Sequence, residues 1–209
     1  MRWLSRPRIR RALWSNEEDI PVADWDQVEE LARKQGVLSL LYLGVNRNIG
    51  VVPQDRVRIW RGAMLAGVLQ NEQMNEDQQE LLNGLHEASI RCSILKGTSA
   101  ARFYPHPDAR CLGDIDLLVD QTSLNQVEQI LIKLQYRKIE HEHDFHISYV
   151  RGITTVEVHY SASEVPNKAG GSAVQKEMNN FLEYTHVVLL NWEFVLHNLL
   201  KSTELWKNA

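Results

Sequence analysis

Residues 94–119 read ILKGTSAARFYPHPDARCLGDIDLLV and decide the fold. Asp114 and Asp116 alternate with apolar residues near the end of this stretch, and such alternation in an apolar, β-branched run predicts a strand. Side chains two apart on a strand point to the same face, roughly 6.5–7 Å apart along it. Two carboxylates presented together repel each other unless cations lie between them, and hard oxygen ligands select Mg²⁺ or Mn²⁺. We therefore expect a divalent metal site at Asp114 and Asp116.

A phosphate-binding turn is predicted just upstream of the aspartates. The apolar strand over residues 92–95 runs into residues 96–99 (KGTS), after which the sequence looks helical. A strand that turns through glycine into a helix N-terminus exposes free backbone N–H groups, which suit phosphate oxygens. Lys96 and Arg110 are both placed to meet phosphate, and Arg110 is favoured because a guanidinium binds phosphate oxygens in a fork. A surface lysine at a strand end is the other reading of Lys96.

A third carboxylate lies in a later apolar strand. Residues 145–150 and 154–160 predict a hairpin with its turn at residues 151–152. In the second strand the valines face one way, whereas Glu157 and His159 face the other. Glu157 is therefore an acid in an apolar strand, and its natural use is as a third metal ligand.

Together these motifs resemble uncharacterised bacterial nucleotidyltransferases of the DNA polymerase β superfamily. The superfamily pattern is an apolar residue, Gly, then Gly or Ser, a spacer, two acids one residue apart, and a later carboxylate inside an apolar strand. All three parts occur here in order. The resemblance covers roughly residues 25–165 and rests on Leu95-Lys96-Gly97, Tyr104, Arg110, residues 113–119 and residues 156–160.

The resemblance implies an enzyme that moves an NMP group from an NTP, with ATP expected, to a hydroxyl-type acceptor and releases pyrophosphate. It implies two Mg²⁺ or Mn²⁺ ions, held by Asp114, Asp116 and Glu157, that stabilise charge on the attacking and leaving oxygens. Glu157 or Asp116 is the candidate base. The implied nucleotide-binding residues are Lys96, Gly97, Thr98, Ser99 and Arg110.

Two other functions stay open at this point. One is a catalytically inactive nucleotidyltransferase-like module that binds a nucleotide or a partner protein, since Thr98 stands where Gly or Ser is usual. The helical part after the acidic strand is also shorter than in family members, so acceptor-binding parts are expected to be absent or supplied by another chain. The other is a toxin-like nucleotidyltransferase of a toxin–antitoxin pair. The acceptor is not indicated.

The predicted fold class is α+β, with a nucleotidyltransferase-like mixed β-sheet and flanking helices. We expect a basic N-terminal arm, a helical N-terminal subdomain, a catalytic core and C-terminal helices, over residues 1–20, 21–90, 91–162 and 173–209. Asp24 is the expected N-cap of the first helix. Residues 54–90 predict one long helix, or two broken near Asn71, with a Trp and Met stripe that is either core or a ligand groove.

Further predictions concern the connecting elements. Residues 124–134 predict a crossover helix capped by Thr122 or Ser123, and residues 136–143 alternate like a strand. Residues 161–172 read as a loop, followed by helices over residues 173–182 and 186–206.

Charge and cysteine usage limit the partners. A net charge of −4 argues against a general nucleic-acid coat, so processive work on long nucleic acid is not expected. No apolar run reaches the ~18 residues of a membrane span. Cys92 and Cys111 fit neither a zinc spacing nor a disulfide framework, which favours a reducing cytoplasm.

Three histidines raise the question of zinc. His141 and His143 share a strand face and His146 follows them, but no further Cys or His comes at a recognised site spacing. Two other interpretations stay open. One of these histidines contacts the substrate, or all three lie on a plain surface strand.

Overall fold

The structure is a computed structural model that describes residues 24–45, 52–101, 103–104, 106–140, 146–161, 176 and 187–189. The chain divides into two compact units: residues 1–72 with 101–112, and residues 73–100 with 113–209. The basic segment 1–20 lies outside the described residues, as does most of the predicted helix over residues 173–182. In the described part of the chain, no helix is both long and apolar enough to cross a membrane.

The first unit is helical. Helix α1 (Trp25–Lys34) begins at Asp24, whose carboxylate accepts hydrogen bonds from the backbone N–H groups of Asp26 and Gln27, so the predicted cap is confirmed. The helix ends before Gly36, which has φ 64°. Helix α2 (Leu38–Val45) follows, and both helices pack on the start of helix α3 (Gln54–Glu87), where Trp60 is fully buried.

Helix α3 continues without a break past Asn71. The Asn71 side chain is buried, donates to the backbone carbonyls of Asp108 and Arg110 at 3.4 and 2.7 Å, and accepts from the N–H of Leu112 at 3.2 Å. Its polarity thus satisfies the backbone of another segment and does not interrupt the helix. The core reading of the Trp and Met stripe is confirmed by Trp60 and Met74, both fully buried.

The second unit is built on a six-stranded mixed sheet with the order β3-β4-β5-β2-β1-β6. Helix α4 follows β1, and helix α5 lies between β2 and β3. The bounds are β1 Cys92–Ile94, α4 Thr98–Ala101, β2 Ile115–Val119, α5 Leu124–Lys133, β3 Arg137–Lys138, β4 His146–Arg151, β5 Thr154–His159 and β6 Val187–Leu189. The α+β prediction is confirmed.

Strand β2 is the centre of this sheet. All five of its residues are buried, and it pairs antiparallel with β1 and parallel with β5. Helix α5 carries the chain away from β2 and buries Val127 and Leu131, as its helical periodicity predicts. Strand β2, which holds Asp116, is therefore preceded in the sequence by β1 and followed by α5. Both of these elements were predicted from the sequence pattern.

Several local predictions are wrong in detail. The hairpin turn lies at Gly152 and Ile153, one residue later than predicted, because Arg151 pairs with Thr154 and Gly152 takes the positive φ of 56°. Ser123 stands at the N-cap of α5 without a side-chain cap bond, since Asp120 caps the preceding 3-10 turn and binds Thr122 instead.

Two strand predictions also change. Of the predicted strand over residues 136–143, Arg137–Lys138 forms strand β3, residues 136, 139 and 140 are not in a strand, and residues 141–143 lie outside the described residues. Residues 187–189 form strand β6, parallel to β1, where a helix over residues 186–206 was expected. Main-chain pairing with β1 outweighs the local helical pattern in this segment, two of whose three residues are β-branched valines.

A buried ion pair joins helix α3 to the hairpin turn. Asp77 is buried and accepts hydrogen bonds from Arg151 at 2.7 Å, from Gln73 at 3.0 Å and from the Thr154 hydroxyl. Burial alone would raise the pKa of the Asp77 carboxyl, but these hydrogen bonds and the Arg151 charge lower it. The ionised carboxylate therefore stabilises the fold.

Replacing Asp77 by Asn should lower the free energy of unfolding by about 1–2 kcal/mol at pH 7, because a neutral amide replaces the charged acceptor of the buried Thr154 hydroxyl and of Arg151, while Arg151 keeps its ion pair with Glu80 at 2.7 Å. Since the folded pKa is depressed, this stabilisation is present above the unfolded pKa of about 4 and is lost as pH falls through the folded value. Urea unfolding at pH 7 and near pH 3 measures both effects. Glu76→Gln, an exposed neighbour on the same helix, is the control; equal losses in the two variants would contradict the assignment.

Candidate metal and nucleotide site

The backbone register places the acidic residues together. Asp116 on β2 is paired with Glu157 on β5, and because these strands are parallel the two side chains leave the same face of the sheet at the same level. The carbonyl of Asp116 accepts a hydrogen bond from the N–H of Leu95 at 3.0 Å, which brings the end of β1 alongside. Asp114 precedes β2 by one residue.

Three carboxylates converge at this point. One oxygen from each of Asp114, Asp116 and Glu157 lies within 4.8 Å of the others. The Asp116 side chain is fully buried, and its Oδ2 atom has no hydrogen-bond partner among the described residues. A buried carboxylate oxygen without a donor is costly unless a cation meets it, so the oxygen-only set fits a hard divalent ion.

Two nitrogen-bearing side chains lie within hydrogen-bond distance of the other carboxylate oxygen of Asp116, Oδ1. Lys96 Nζ donates to Asp116 Oδ1 at 2.8 Å, and His159 Nε2 lies 3.1 Å from the same atom. Lys96 keeps 53% of its side chain exposed, whereas His159 is buried. Asp116 is therefore held in one orientation, with Oδ1 engaged and Oδ2 directed away from these two donors.

The pKa values of Asp114 and Asp116 are shifted in opposite directions by their surroundings. Burial would raise the pKa of Asp116, but the hydrogen bonds and charges of His159 and Lys96 outweigh it and lower that pKa. Burial, followed by the negative charges of Asp116 and Glu157, raises the pKa of Asp114. The site concentrates negative charge at Asp114, where a cation would relieve it.

Sequence reasoning named His146 and His159 separately, but it did not predict that the two meet beside Glu157. His159 Nε2 lies 3.4 Å from Glu157 Oε2, and His146 Nε2 lies 3.8 Å from Glu157 Oε1. The period of two along β5 already put Glu157 and His159 on one face. The contribution of His146 depends on the pairing of β4 with β5, which no local pattern reveals. His141 and His143 lie outside the described residues.

The predicted phosphate turn has the expected backbone. Gly97 has φ 60°, a conformation that favours glycine, and helix α4 begins at the next residue. The Thr98 hydroxyl donates to Gln78 Oε1 at 3.0 Å, so this side chain ties the turn to helix α3. Ser99 lies within α4.

Arg110 belongs to the helical unit. Its guanidinium lies 5.8 Å from the centre of the Tyr104 ring, and its backbone carbonyl accepts from Asn71. Its role in phosphate binding stays a prediction.

The cysteines take no part in the carboxylate cluster. Burial raises the pKa of the Cys92 thiol to about 11, so it stays protonated at neutral pH. Cys111 is exposed, and both cysteines are free thiols.

Comparison with known families identifies the family of the chain. The family described as uncharacterised nucleotidyltransferase matches residues 21–199, well over half of the 209-residue chain. The chain belongs to this nucleotidyltransferase family. No curated protein and no solved structure matches it. The resemblance drawn from the sequence motifs is thereby confirmed.

Replacing Asp114 by Asn should raise Tm at pH 7 in the presence of a chelator. The folded pKa of Asp114 lies above its unfolded value, so the ionised carboxylate costs stability once pH exceeds both, and the gain should vanish below about pH 4. We expect about 2 °C, the size of a sub-kcal change in a chain of this length. Differential scanning calorimetry at the two pH values, with exposed Asp108→Asn as control, measures it. A lower Tm for Asp114→Asn at pH 7 would contradict the charge argument.

Proposed function

We propose that the chain is a metal-dependent nucleotidyltransferase that transfers an NMP group from an NTP, with ATP as the first nucleotide to test, to a hydroxyl-type acceptor. The observation that carries this proposal is the convergence of Asp114, Asp116 and Glu157 within 4.8 Å, in a chain that belongs to a nucleotidyltransferase family. The nucleophile is the acceptor oxygen, the bond that breaks joins the α-phosphorus to its bridging oxygen, and pyrophosphate leaves.

The three carboxylates would hold Mg²⁺ or Mn²⁺, which in a two-ion arrangement supplies charge stabilisation at the attacking and leaving oxygens. Asp116 is kept ionised and oriented by Lys96 and His159, so its role is to hold charge at a fixed place. Glu157 is the preferred base for the acceptor hydroxyl, because Asp116 already accepts two hydrogen bonds on Oδ1 and its pKa is lowered.

The triphosphate is assigned to the turn at residues 96–99. Its backbone N–H groups at the start of α4 suit phosphate oxygens, and Lys96 is exposed enough to exchange Asp116 for a phosphate oxygen. The Thr98 hydroxyl donates a hydrogen bond to Gln78 and so helps to fix the shape of the turn. Phosphate binding at this turn is therefore proposed for the backbone N–H groups. Arg110 is proposed to neutralise further phosphate charge through its guanidinium.

The acceptor is proposed to be small or compact. Strong binding to long nucleic acid depends on many phosphate contacts, and a chain with net charge −4 offers few. With free thiols at Cys92 and Cys111, the cytoplasm, where NTPs and Mg²⁺ are abundant, is the proposed location.

The direct test follows transfer of an α-phosphate label from each of the four NTPs to components of a cell extract, with Mg²⁺ or Mn²⁺. Asp116→Asn should reduce transfer by about 1000-fold or more, since metal-assisted charge stabilisation is worth several kcal/mol. Asp108→Asn, an exposed aspartate of the helical unit, should transfer as the wild type does. Comparable activity in Asp116→Asn would refute the metal-dependent mechanism.

A second test concerns the number of nucleotides added. Generic RNA and DNA primers incubated with labelled NTP should show no ladder on a sequencing gel, because the proposed reaction is a single transfer. Extension by many nucleotides would move the protein to the polymerase side of its superfamily.

A further inference from the structure

A second set of ligand atoms lies beside the carboxylate cluster, on strands β4 and β5. His146 is paired directly with His159 across these antiparallel strands, and Glu157 is two residues from His159. Paired residues and residues two apart share a face of the sheet, so all three side chains lie together on one face. His146 and His159 are only 8% and 9% exposed.

The distances between the ligand atoms are close to those of an ion site. Each oxygen of Glu157 faces one imidazole, with Oε1 3.8 Å from His146 Nε2 and Oε2 3.4 Å from His159 Nε2. One ligand atom from each residue lies within 4.8 Å of the others, and the imidazole centroids are 5.1 Å apart. Around a tetrahedral Zn²⁺ with bonds of about 2.0–2.1 Å, ligand atoms lie about 3.4 Å apart, so small side-chain rotations would complete the site.

We infer that His146, Glu157 and His159 form a second cation site, selective for borderline ions such as Zn²⁺ or Co²⁺ over Mg²⁺. Two imidazoles and one carboxylate are a common zinc ligand set that leaves a fourth position open. Imidazole suits Zn²⁺ and Co²⁺, whereas Mg²⁺ favours carboxylate, carbonyl and water oxygens. The neighbouring set of Asp114, Asp116 and Glu157 offers only oxygen, so the two sites differ in chemistry although they share Glu157.

The shared residue Glu157 and the contact between His159 and Asp116 couple the second site to the first. His159 Nε2, when it carries the proton, donates to Asp116 Oδ1, and an ion bound at that nitrogen takes the place of the proton. Occupation of the second site therefore removes a hydrogen bond from Asp116 and draws Glu157 toward the histidines. A consequence that rests on the proposed function is that Zn²⁺ inhibits Mg²⁺-dependent nucleotidyl transfer.

Cobalt binding by the full chain tests the site without any activity assay. Co²⁺ held by imidazole at low coordination number absorbs visible light strongly, whereas Co²⁺ in an all-oxygen set absorbs weakly, so the spectrum reports the ligand type. Wild type should bind one Co²⁺ with intense absorption, and excess Zn²⁺ but not excess Mg²⁺ should abolish the band. Isothermal titration calorimetry gives the affinity in the same buffer.

Four variants separate the two sites. His146→Gln and His159→Gln should each weaken Co²⁺ binding by about 100-fold or more, since even outer-shell changes cost about 10–100-fold in metal affinity. Asp114→Asn, outside the histidine set, should keep the intense band. His86→Gln, an exposed histidine of helix α3, is the matched control and should bind as the wild type does.

Unchanged Co²⁺ binding in His146→Gln and His159→Gln would overturn the inference, as would a band that is lost only in Asp114→Asn. Circular dichroism establishes that each variant folds. Should one not fold, ring ¹⁵N NMR of the wild type decides, because Zn²⁺ must shift the ring nitrogens of two histidines and leave His86 unchanged. An intense Co²⁺ band in a chain without transferase activity would sink the proposed function alone, while activity without the band would sink only this site.

Discussion

The pairing of β2 with β5 is the constraint on which the candidate site depends. The parallel register that sets Asp116 beside Glu157 is the only reason that acids 41 positions apart in the chain meet. A slip of one residue would turn Glu157 and His159 to the opposite face and bring valines to the metal position. Such a slip is costly, because it would also move the buried side chains of Val156 and Val158 out of the core.

Bringing three carboxylates together at a buried position is electrostatically unfavourable, and the surrounding residues compensate for only part of this unfavourable energy. Burial, together with the negative charges of Asp116 and Glu157, raises the pKa of Asp114, and one buried oxygen of Asp116 has no partner among the described residues. The charges of Lys96 and His159 oppose this rise, but they outweigh burial only at Asp116, to which both side chains are hydrogen-bonded. Local rules are broken in this way at sites that bind ions, and the ion is then part of what completes the structure. The buried Asp77 network, by contrast, satisfies its charge internally, which is the pattern of a structural ion pair.

What the sequence could predict follows from the range of the interactions. Period-two alternation, a glycine turn and helical spacing are local, so β2, the turn at Gly97 and the long helix α3 were accessible from the pattern, together with the three acids. Features set by pairing between distant segments were not. The place of His146 depends on the β4–β5 register, and strand β6 depends on the edge of β1. The unbroken helix at Asn71 depends on backbone groups of residues 108–112 that its amide satisfies.

The most direct measurement of the central claim is a crystal structure of the chain with Mn²⁺ and a non-hydrolysable NTP analogue, with anomalous scattering used to locate manganese. The account predicts anomalous peaks about 2.0–2.3 Å from carboxylate oxygens of Asp114, Asp116 and Glu157, with phosphate oxygens completing the coordination. Manganese bound elsewhere, with these three carboxylates making no contact to it, would contradict the account.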